Sequence, residues 1–203
     1  ILFDFVAKEE GIVMRDMEPG VPAPINVENA TAALALCLIN GCTEDEMRTA
    51  LKSFEGAKRR FDFYIKREDL VLMDDYAHHP DEIKASLNSV RQLFAGRHVT
   101  VVFQPHLYSR THDLVEGFAE ALSIPDRTIL LPIYPAREQP IQGVTSEWLL
   151  NMIESNDKRC VMQSELTQCL KSLKDAGKLD VVVMMGAGVD IERLLPETVE
   201  CLG

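Results

Sequence analysis

The sequence lacks most of the features that declare a compartment, a metal or a polyanionic partner. Its five cysteines (Cys37, Cys42, Cys160, Cys169 and Cys201) are an odd, scattered set without C-x-x-C spacing or a histidine at metal-ligand distance along the chain. That pattern argues against a disulfide framework or a zinc site and fits reduced thiols in a cytoplasmic protein. No basic segment leads into an apolar one with a small-residue cleavage site, and the apolar runs fall well short of a bilayer span, so no membrane role is expected. Basic residues are the minority: 21 Lys and Arg against 32 Asp and Glu, for a net charge of −11. Such a balance excludes non-specific binding to nucleic acid or anionic membranes, and it means that an anionic substrate must be met by locally placed cations. There are no repeats, no low-complexity tract and no G-x-x-x-x-G-K-[ST] phosphate loop.

What is present suffices for a folded core, since 46% of the 203 residues are apolar. Ile1-Leu2-Phe3-Asp4-Phe5-Val6 starts in mid-strand pattern without an initiator Met, which predicts a fragment of a longer protein. A short strand over 12–14 and a turn rich in Pro and Gly (Pro19, Gly20, Pro22, Pro24) lead to a helix from Asn26 to Ile39, with Ala32, Ala33, Leu36 and Ile39 on its apolar side. Thr43 followed by Glu46 is a capping-box pattern that opens a second helix through about Phe54. Gly56 to Arg60 is short, basic and hinge-like, and separates a leading segment of 10 acids and 4 bases from a remainder of 22 acids and 17 bases. We expect a domain boundary there, with residues 1–56 on one side and 57–203 on the other.

Beyond the boundary, strands over 61–65, 70–74, 98–103, 127–132 and 180–185 alternate with helices over 80–95, 111–123, 145–154, 164–175 and 188–200. The strands are rich in Val and Ile without polar alternation. They imply a sheet covered on both faces, a doubly wound, mostly parallel α/β architecture.

Two strand tips carry the chemistry. In Met73-Asp74-Asp75-Tyr76-Ala77-His78-His79-Pro80 an apolar run ends in two acids, a Tyr and two imidazoles, and Pro80 suits the first position of a helix. Ligands of open α/β sheets bind at such turns. Alternation sends Asp74 and Asp75 to opposite sides, so one can face a ligand, as a ribose-binding acid would, while the other supports structure; a plain cap or solvated turn is an equal alternative. Adjacent histidines seldom face the same way, and we expect His78, further from the helix, to contact ligand while His79 caps the helix or packs beneath the turn. One βα unit later, Phe103-Gln104-Pro105-His106-Leu107-Tyr108-Ser109-Arg110 repeats the arrangement, with Arg110 able to hold a carboxylate or phosphate bidentately. Its bland alternative is a surface ion pair with Asp113 or Glu116. Two such tips side by side are expected to form a pocket. Lys58-Arg59-Arg60 offers cations at the hinge. Asn26 and Asn29 flank the first helix, where capping is the simpler reading. Gly186-Ala187-Gly188 lacks a third Gly, so tight packing of a turn explains it better than a dinucleotide site.

In this order, Asn26-Val27-Glu28-Asn29-Ala30, Arg59-Arg60-Phe61-Asp62, Asp74 to Pro80, Phe103-Gln104-Pro105-His106, Tyr108-Ser109-Arg110-Thr111, Tyr134-Pro135-Ala136 and Gly186-Ala187-Gly188 resemble the carboxyl-terminal portion of the Mur ligase family. The branch that joins L-alanine to UDP-N-acetylmuramate is the most similar, because Phe-Gln-Pro-His after Asp-Asp-Tyr-x-His-His-Pro separates it from sister ligases that add later amino acids. The resemblance implies a Rossmann-like closing domain preceded by the tail of a central ATPase domain. It also implies a continuous amino-terminal part that supplies the phosphate loop and most of the Mg²⁺ binding, so this fragment alone should be inactive. The substrates implied are ATP, UDP-N-acetylmuramate and L-alanine. Residue by residue, Asn26 and Asn29 correspond to adenine contacts, Arg60 to a cation for the nucleotide phosphates and Asp75 to the ribose partner. His78 and Arg110, with Tyr76 and Tyr108 nearby, would hold alanine and its carboxylate; Leu107 and His112 stand where other members carry Arg, leaving the clamp to Arg110. The competing readings are a murein peptide recycling ligase, which shares the His-His-Pro turn, and a non-catalytic nucleotide-binding domain.

Overall fold

Residues with period-2 alternation and residues in continuous apolar runs build two different kinds of sheet here. The computed structural model describes residues 1–21 and 23–203, in two units, Ile1–Lys58 and Arg59–Gly203. In the first, β1 (Phe3–Ala7) and β2 (Ile12–Met17) form an antiparallel hairpin. Their inward residues Phe5, Met14 and Met17 pack with Leu34 of α1 (Pro24–Ile39) and Met47 of α2 (Glu44–Ser53). The capping box of α2 forms as expected: Thr43 N–H donates to Glu46 Oε2 at 2.8 Å and Glu46 N–H to the Thr43 hydroxyl at 3.4 Å.

The first helix departs from expectation twice. It begins at Pro24, with Ala23 as a cap that offers no side-chain bond, so neither Asn26 nor Asn29 is the N-cap. The side carrying Ala32, Ala33, Leu36 and Ile39 is exposed, Leu36 by 63% and Ile39 by 78%, while Ala30 and Leu34 turn inward. The segment from Ala30 to Ile39 is apolar nearly all round, so its composition selects no face; the position of the hairpin does.

The second unit holds a six-stranded sheet in the order β3 (Asp62–Lys66), β4 (Val71–Asp75), β8 (Val181–Met185), β5 (Val99–Phe103), β6 (Arg127–Leu130), β7 (Lys158–Cys160). Only β3 runs antiparallel to its neighbour. Every residue of β4, β5, β6 and β8 is buried, as a sheet covered on both faces requires. Leu72, Val182, Met184, Val102 and Ile129 share one face and pack against α7 (Gln163–Asp175) and α8 (Val189–Leu202). On the other face α3 (Pro80–Leu93) and α5 (Val115–Leu122) lie together, Phe103 meeting Phe118 at 5.7 Å between ring centres. The architecture is the doubly wound, mostly parallel layer structure read from the strands.

Three details were not legible. β7 is a three-residue edge strand of Lys158, Arg159 and Cys160, with no apolar run to announce it. The helix expected over 111–123 is two, α4 (Tyr108–Asp113) and α5, parted at Leu114 (φ −117°, ψ 21°). Most consequential, β8 returns to lie between β4 and β5, so the two chemistry-bearing tips are not neighbours. The expectation of adjacent tips is corrected: the turn after β8, Gly186-Ala187-Gly188, stands between them. Among the described residues no helix is long and apolar enough to cross a membrane.

Candidate functional site

Alternation at the end of β4 points Asp74 to the α8 side and Asp75 to the α3 side. Asp74 is fully buried and accepts from Arg59 Nε at 2.9 Å, while Arg59 Nη2 donates to the Gly186 carbonyl at 2.6 Å. Arg59 thus ties the entry of β3 to the ends of β4 and β8, and it does so from a left-handed backbone conformation, φ +60°. Burial holds the Asp74 carboxyl above the usual carboxylate range against the opposing pull of Arg59. Asp75 is only 6% exposed, and its two oxygens accept from Ala77 N–H at 2.9 Å and the Ser86 hydroxyl at 3.0 Å. Burial raises its pKa as well. Neither acid of the pair extends freely toward a ligand, so a ribose contact by Asp75 would have to share the oxygens already used by Ala77 and Ser86.

In the turn that follows, the structural part of the histidine expectation is met. His79 is the N-cap of α3, its Nδ1 accepting from Asp81 N–H at 3.4 Å. Glu82 Oε2 reaches back to accept from the N–H groups of His78 (3.1 Å) and His79 (3.3 Å). The His78 ring stays outside the helix, with Nδ1 3.1 Å from the Tyr76 carbonyl and its edge against the Tyr76 ring at 5.4 Å. Tyr76 in turn carries the guanidinium groups of buried Arg59 and exposed Arg60, 5.1 and 5.7 Å from its ring centre.

At the tip of β5, Gln104 is fully buried; its N–H donates to the Met185 carbonyl at 3.1 Å and its Nε2 to Asp190 Oδ2 at 2.7 Å. A Cβ on Gly186, whose φ is +140°, would stand 2.9 Å from the Gln104 carbonyl oxygen, and one on Gly188 would stand 2.3 Å from its Oε1. The glycines therefore serve close packing of three strand tips. His106 follows, paired through its backbone with Tyr134 and stacked on that ring at 5.5 Å and 27°. Its other side meets the edge of His78 at 6.3 Å. Tyr76, His78, His106 and Tyr134 form a continuous ring wall that spans from the β4 tip to the β5 tip across the intervening turn.

Arg110 projects from α4, which Leu107 opens from a left-handed φ of +74°. Among the described residues Arg110 makes no ion pair with Asp113 or Glu116; Asp113 is 2.8 Å from His112 instead. Arg110 Nη1 and His106 Nδ1 are both buried without a hydrogen-bond partner among the described residues. Burial pushes the His106 pKa down, aided by the neighbouring Arg110 and His78 and opposed by Glu138. Tyr108 lines a cleft of about 290 Å³ with Ile133, Val144, Cys160 and Met162. Burial and nearby Glu147 push the Cys160 thiol up to about 11, which makes it a poor nucleophile. Among the described residues no three His, Cys, Asp or Glu side chains come together as a metal would require.

The profile of the Mur ligase glutamate ligase domain matches residues 59–188. The chain belongs to the Mur ligase family. It is 46% identical over 202 residues to the UDP-N-acetylmuramate–L-alanine ligase of Parabacteroides distasonis, covering all of this chain and 42% of that relative. It is 47% identical over 182 residues to the enzyme of the same name from Porphyromonas gingivalis, covering 90% and 39%. The chain therefore spans about two fifths of the length of these curated relatives. The UDP-N-acetylmuramate–alanine ligase structure from Thermotoga maritima superposes with a TM-score of 0.73 at 25% identity, over 93% of this chain and 41% of that one. The folylpolyglutamate synthase of Mycobacterium tuberculosis shares the fold, with a TM-score of 0.71 at 16% identity, over 98% and 47%.

In this member of the Mur ligase family, the residues singled out by sequence fall into two groups. Tyr76, His78 and Arg110 lie in the second unit around the ring wall, with Arg60 beside Tyr76. Asn26, whose Nδ2 is 3.4 Å from the Val21 carbonyl, and exposed Asn29 belong to the first unit. Sequence reasoning missed Arg59, Ser86, His106 and Tyr134. His106 and Tyr134 sit inside quoted segments, and the signal was their placement after apolar strands; nothing in Lys58-Arg59-Arg60 distinguishes the buried guanidinium from the exposed one.

Proposed function

We propose that the full-length protein containing this chain joins L-alanine to UDP-N-acetylmuramate at the expense of ATP, as a cytoplasmic peptidoglycan precursor ligase. The observation that carries this reading is the unpaired, buried Nη1 of Arg110 beside an aromatic wall. A guanidinium left without a partner beside a strand tip is suited to a small carboxylate. The alanine ligase names of relatives that match the whole chain support the choice of amino acid.

In this reading ATP phosphorylates the muramyl carboxylate and the amine of alanine attacks the acyl phosphate. This chain's share is orientation: Arg110 takes the alanine carboxylate, and Tyr76, His78 and Tyr108 bound the amino acid. Arg60 is assigned to the nucleotide phosphates, Asn26 and Asn29 to adenine, and Asp75 to ribose through the oxygens it shares with Ala77 and Ser86. Residues 1–56 are assigned to the tail of the central ATP-binding domain and 57–203 to the closing domain. Mg²⁺ falls mainly to parts outside this chain, in keeping with the lack of any group of three His, Cys, Asp or Glu side chains that could hold a metal among the described residues.

The test is ADP release by the full-length protein with ATP, UDP-N-acetylmuramate and L-alanine, each omitted in turn. Release that requires all three supports the reading, and this chain by itself should release none. Release with a preformed tripeptide but not with alanine would make the protein a recycling ligase, and no release with either would leave a binding module.

A further inference from the structure

Helix α1 ends in a turn that brings two cysteines together. Gly41 takes a left-handed φ of +81°, its N–H donates to the Leu38 carbonyl at 3.0 Å, and the Cys42 N–H reaches back to the Cys37 carbonyl at 3.0 Å. These two bonds make a Schellman stop, in which the side chain two positions past the helix cap packs against the one three positions before it. With Asn40 as the cap, those positions are Cys42 and Cys37, and their thiols lie within hydrogen-bonding reach of each other. Both are half-buried and pack against the cluster of Phe5, Met14, Leu34 and Met47. Two apolar side chains would fill the same contact, so sulfur at both ends adds a chemistry that packing does not need. Other cysteines are placed differently: Cys201 Sγ donates to the Thr167 carbonyl at 3.8 Å, and Cys160 lines the cleft beside Tyr108.

We propose that Cys37 and Cys42 are a reversible modification site, a dithiol that closes to a disulfide when the protein meets a low-molecular-weight disulfide such as oxidised glutathione. In the first step the Cys37 thiolate attacks one sulfur of the oxidant, forming a mixed disulfide and releasing one small thiol. In the second, the Cys42 sulfur attacks the Cys37 sulfur, which closes the protein disulfide and releases the other small thiol. Two electrons pass from the protein to the oxidant, and the two cysteine protons end on the released thiols. The titratable groups facing Cys42 are Cys37 at the end of α1 and Glu46 in the first turn of α2. Burial, the Cys37 neighbour and the Glu46 carboxylate all disfavour the Cys42 thiolate, so the first attack falls to Cys37. Closure needs little backbone movement, because the turn already holds the two residues side by side. A reducing compartment keeps such a pair open until an oxidant arrives. The site lies in the first unit and is independent of the ligase reading.

The experiment uses full-length protein, incubated with oxidised glutathione, alkylated with iodoacetamide, cleaved with trypsin and weighed by mass spectrometry. Cys37 and Cys42 fall in one tryptic peptide, Asp16 to Arg48, so closure is read there as the loss of two hydrogens together with resistance to alkylation at both positions. This form should accumulate ahead of any glutathione adduct on the same peptide, and dithiothreitol should reverse it. Cys42→Ser should trap glutathione on Cys37, because no second thiol remains to expel it, and Cys37→Ser should take up glutathione at Cys42 more slowly. If both wild-type thiols still take iodoacetamide after the incubation, or if glutathione stays on either of them without closure, the pair is ordinary packing and the inference is overturned. Faster trapping on Cys42 in Cys37→Ser than on Cys37 in Cys42→Ser would overturn the assigned order of attack.

Discussion

The tips of β4 and β5 are built from similar materials and differ in how many of their polar atoms are satisfied. At β4, Asp74 is bonded to Arg59, Asp75 to Ala77 and Ser86, His79 to the first turn of α3, and Glu82 to two backbone N–H groups. Among the described residues the β4 tip leaves Asp74 Oδ1 buried without a partner, whereas the β5 tip leaves three such atoms, Gln104 Oε1, His106 Nδ1 and Arg110 Nη1. A buried donor or acceptor without a partner costs about 1–3 kcal/mol, so a fold keeps such atoms where a ligand will satisfy them. The acidic tip is therefore mainly a frame, and most of the remaining binding capacity lies at the basic tip.

The contrast predicts that substitutions at β4 reduce stability and those at β5 reduce binding. The largest effect should come from Arg59→Ala, which strips Asp74 of its partner inside the protein; denaturant unfolding should show a loss of about 3–5 kcal/mol. Arg110→Ala should leave unfolding nearly unchanged and raise the KM for alanine by roughly ten- to hundredfold, far more than the KM for ATP. Equal effects on both substrates would blur the distinction between the tips.

Asp75→Ala orphans the Ala77 N–H and the Ser86 hydroxyl and should cost about 1–3 kcal/mol. Because burial raises the Asp75 pKa, the folded state takes up its proton at a higher pH than the unfolded chain does. Wild-type stability should thus gain on that of the variant as pH falls through the raised pKa, a difference that paired urea titrations across the acid range would detect. A weaker or absent ribose-related loss of ATP affinity in the same variant, measured by calorimetry, would confine Asp75 to the frame. The smallest effect is expected from His79→Ala, about 0.5–2 kcal/mol for the lost cap, with kinetics unchanged.

Much of the architecture was readable because it depends on local rules. Apolar runs of Val, Leu and Met marked β4 and β8 and a Val-rich run marked β5, Thr43 and Glu46 marked the start of α2, and the break from apolar residues to Asp74-Asp75 marked a strand end. The failures share another cause. β7 carries Lys158 and Arg159 at an edge where one face needs no apolar residue. The face of α1 was misassigned because apolar residues lie on several sides of it. Arg59 and Arg60 are identical in kind, and only the position of Asp74 chooses between them.

Chain order and residue type alone determined that this protein would have a doubly wound layer with ionisable groups at strand ends, since run length, alternation and capping act over a few residues. Tertiary structure alone decided that β8 would separate the two tips, that Asp75 would be bonded to α3, and that His106 and Arg110 would be left unpaired. Those outcomes depend on contacts between segments dozens of residues apart, such as Arg59 with Gly186 and Gln104 with Asp190, and no local pattern encodes which distant partner will satisfy a buried group.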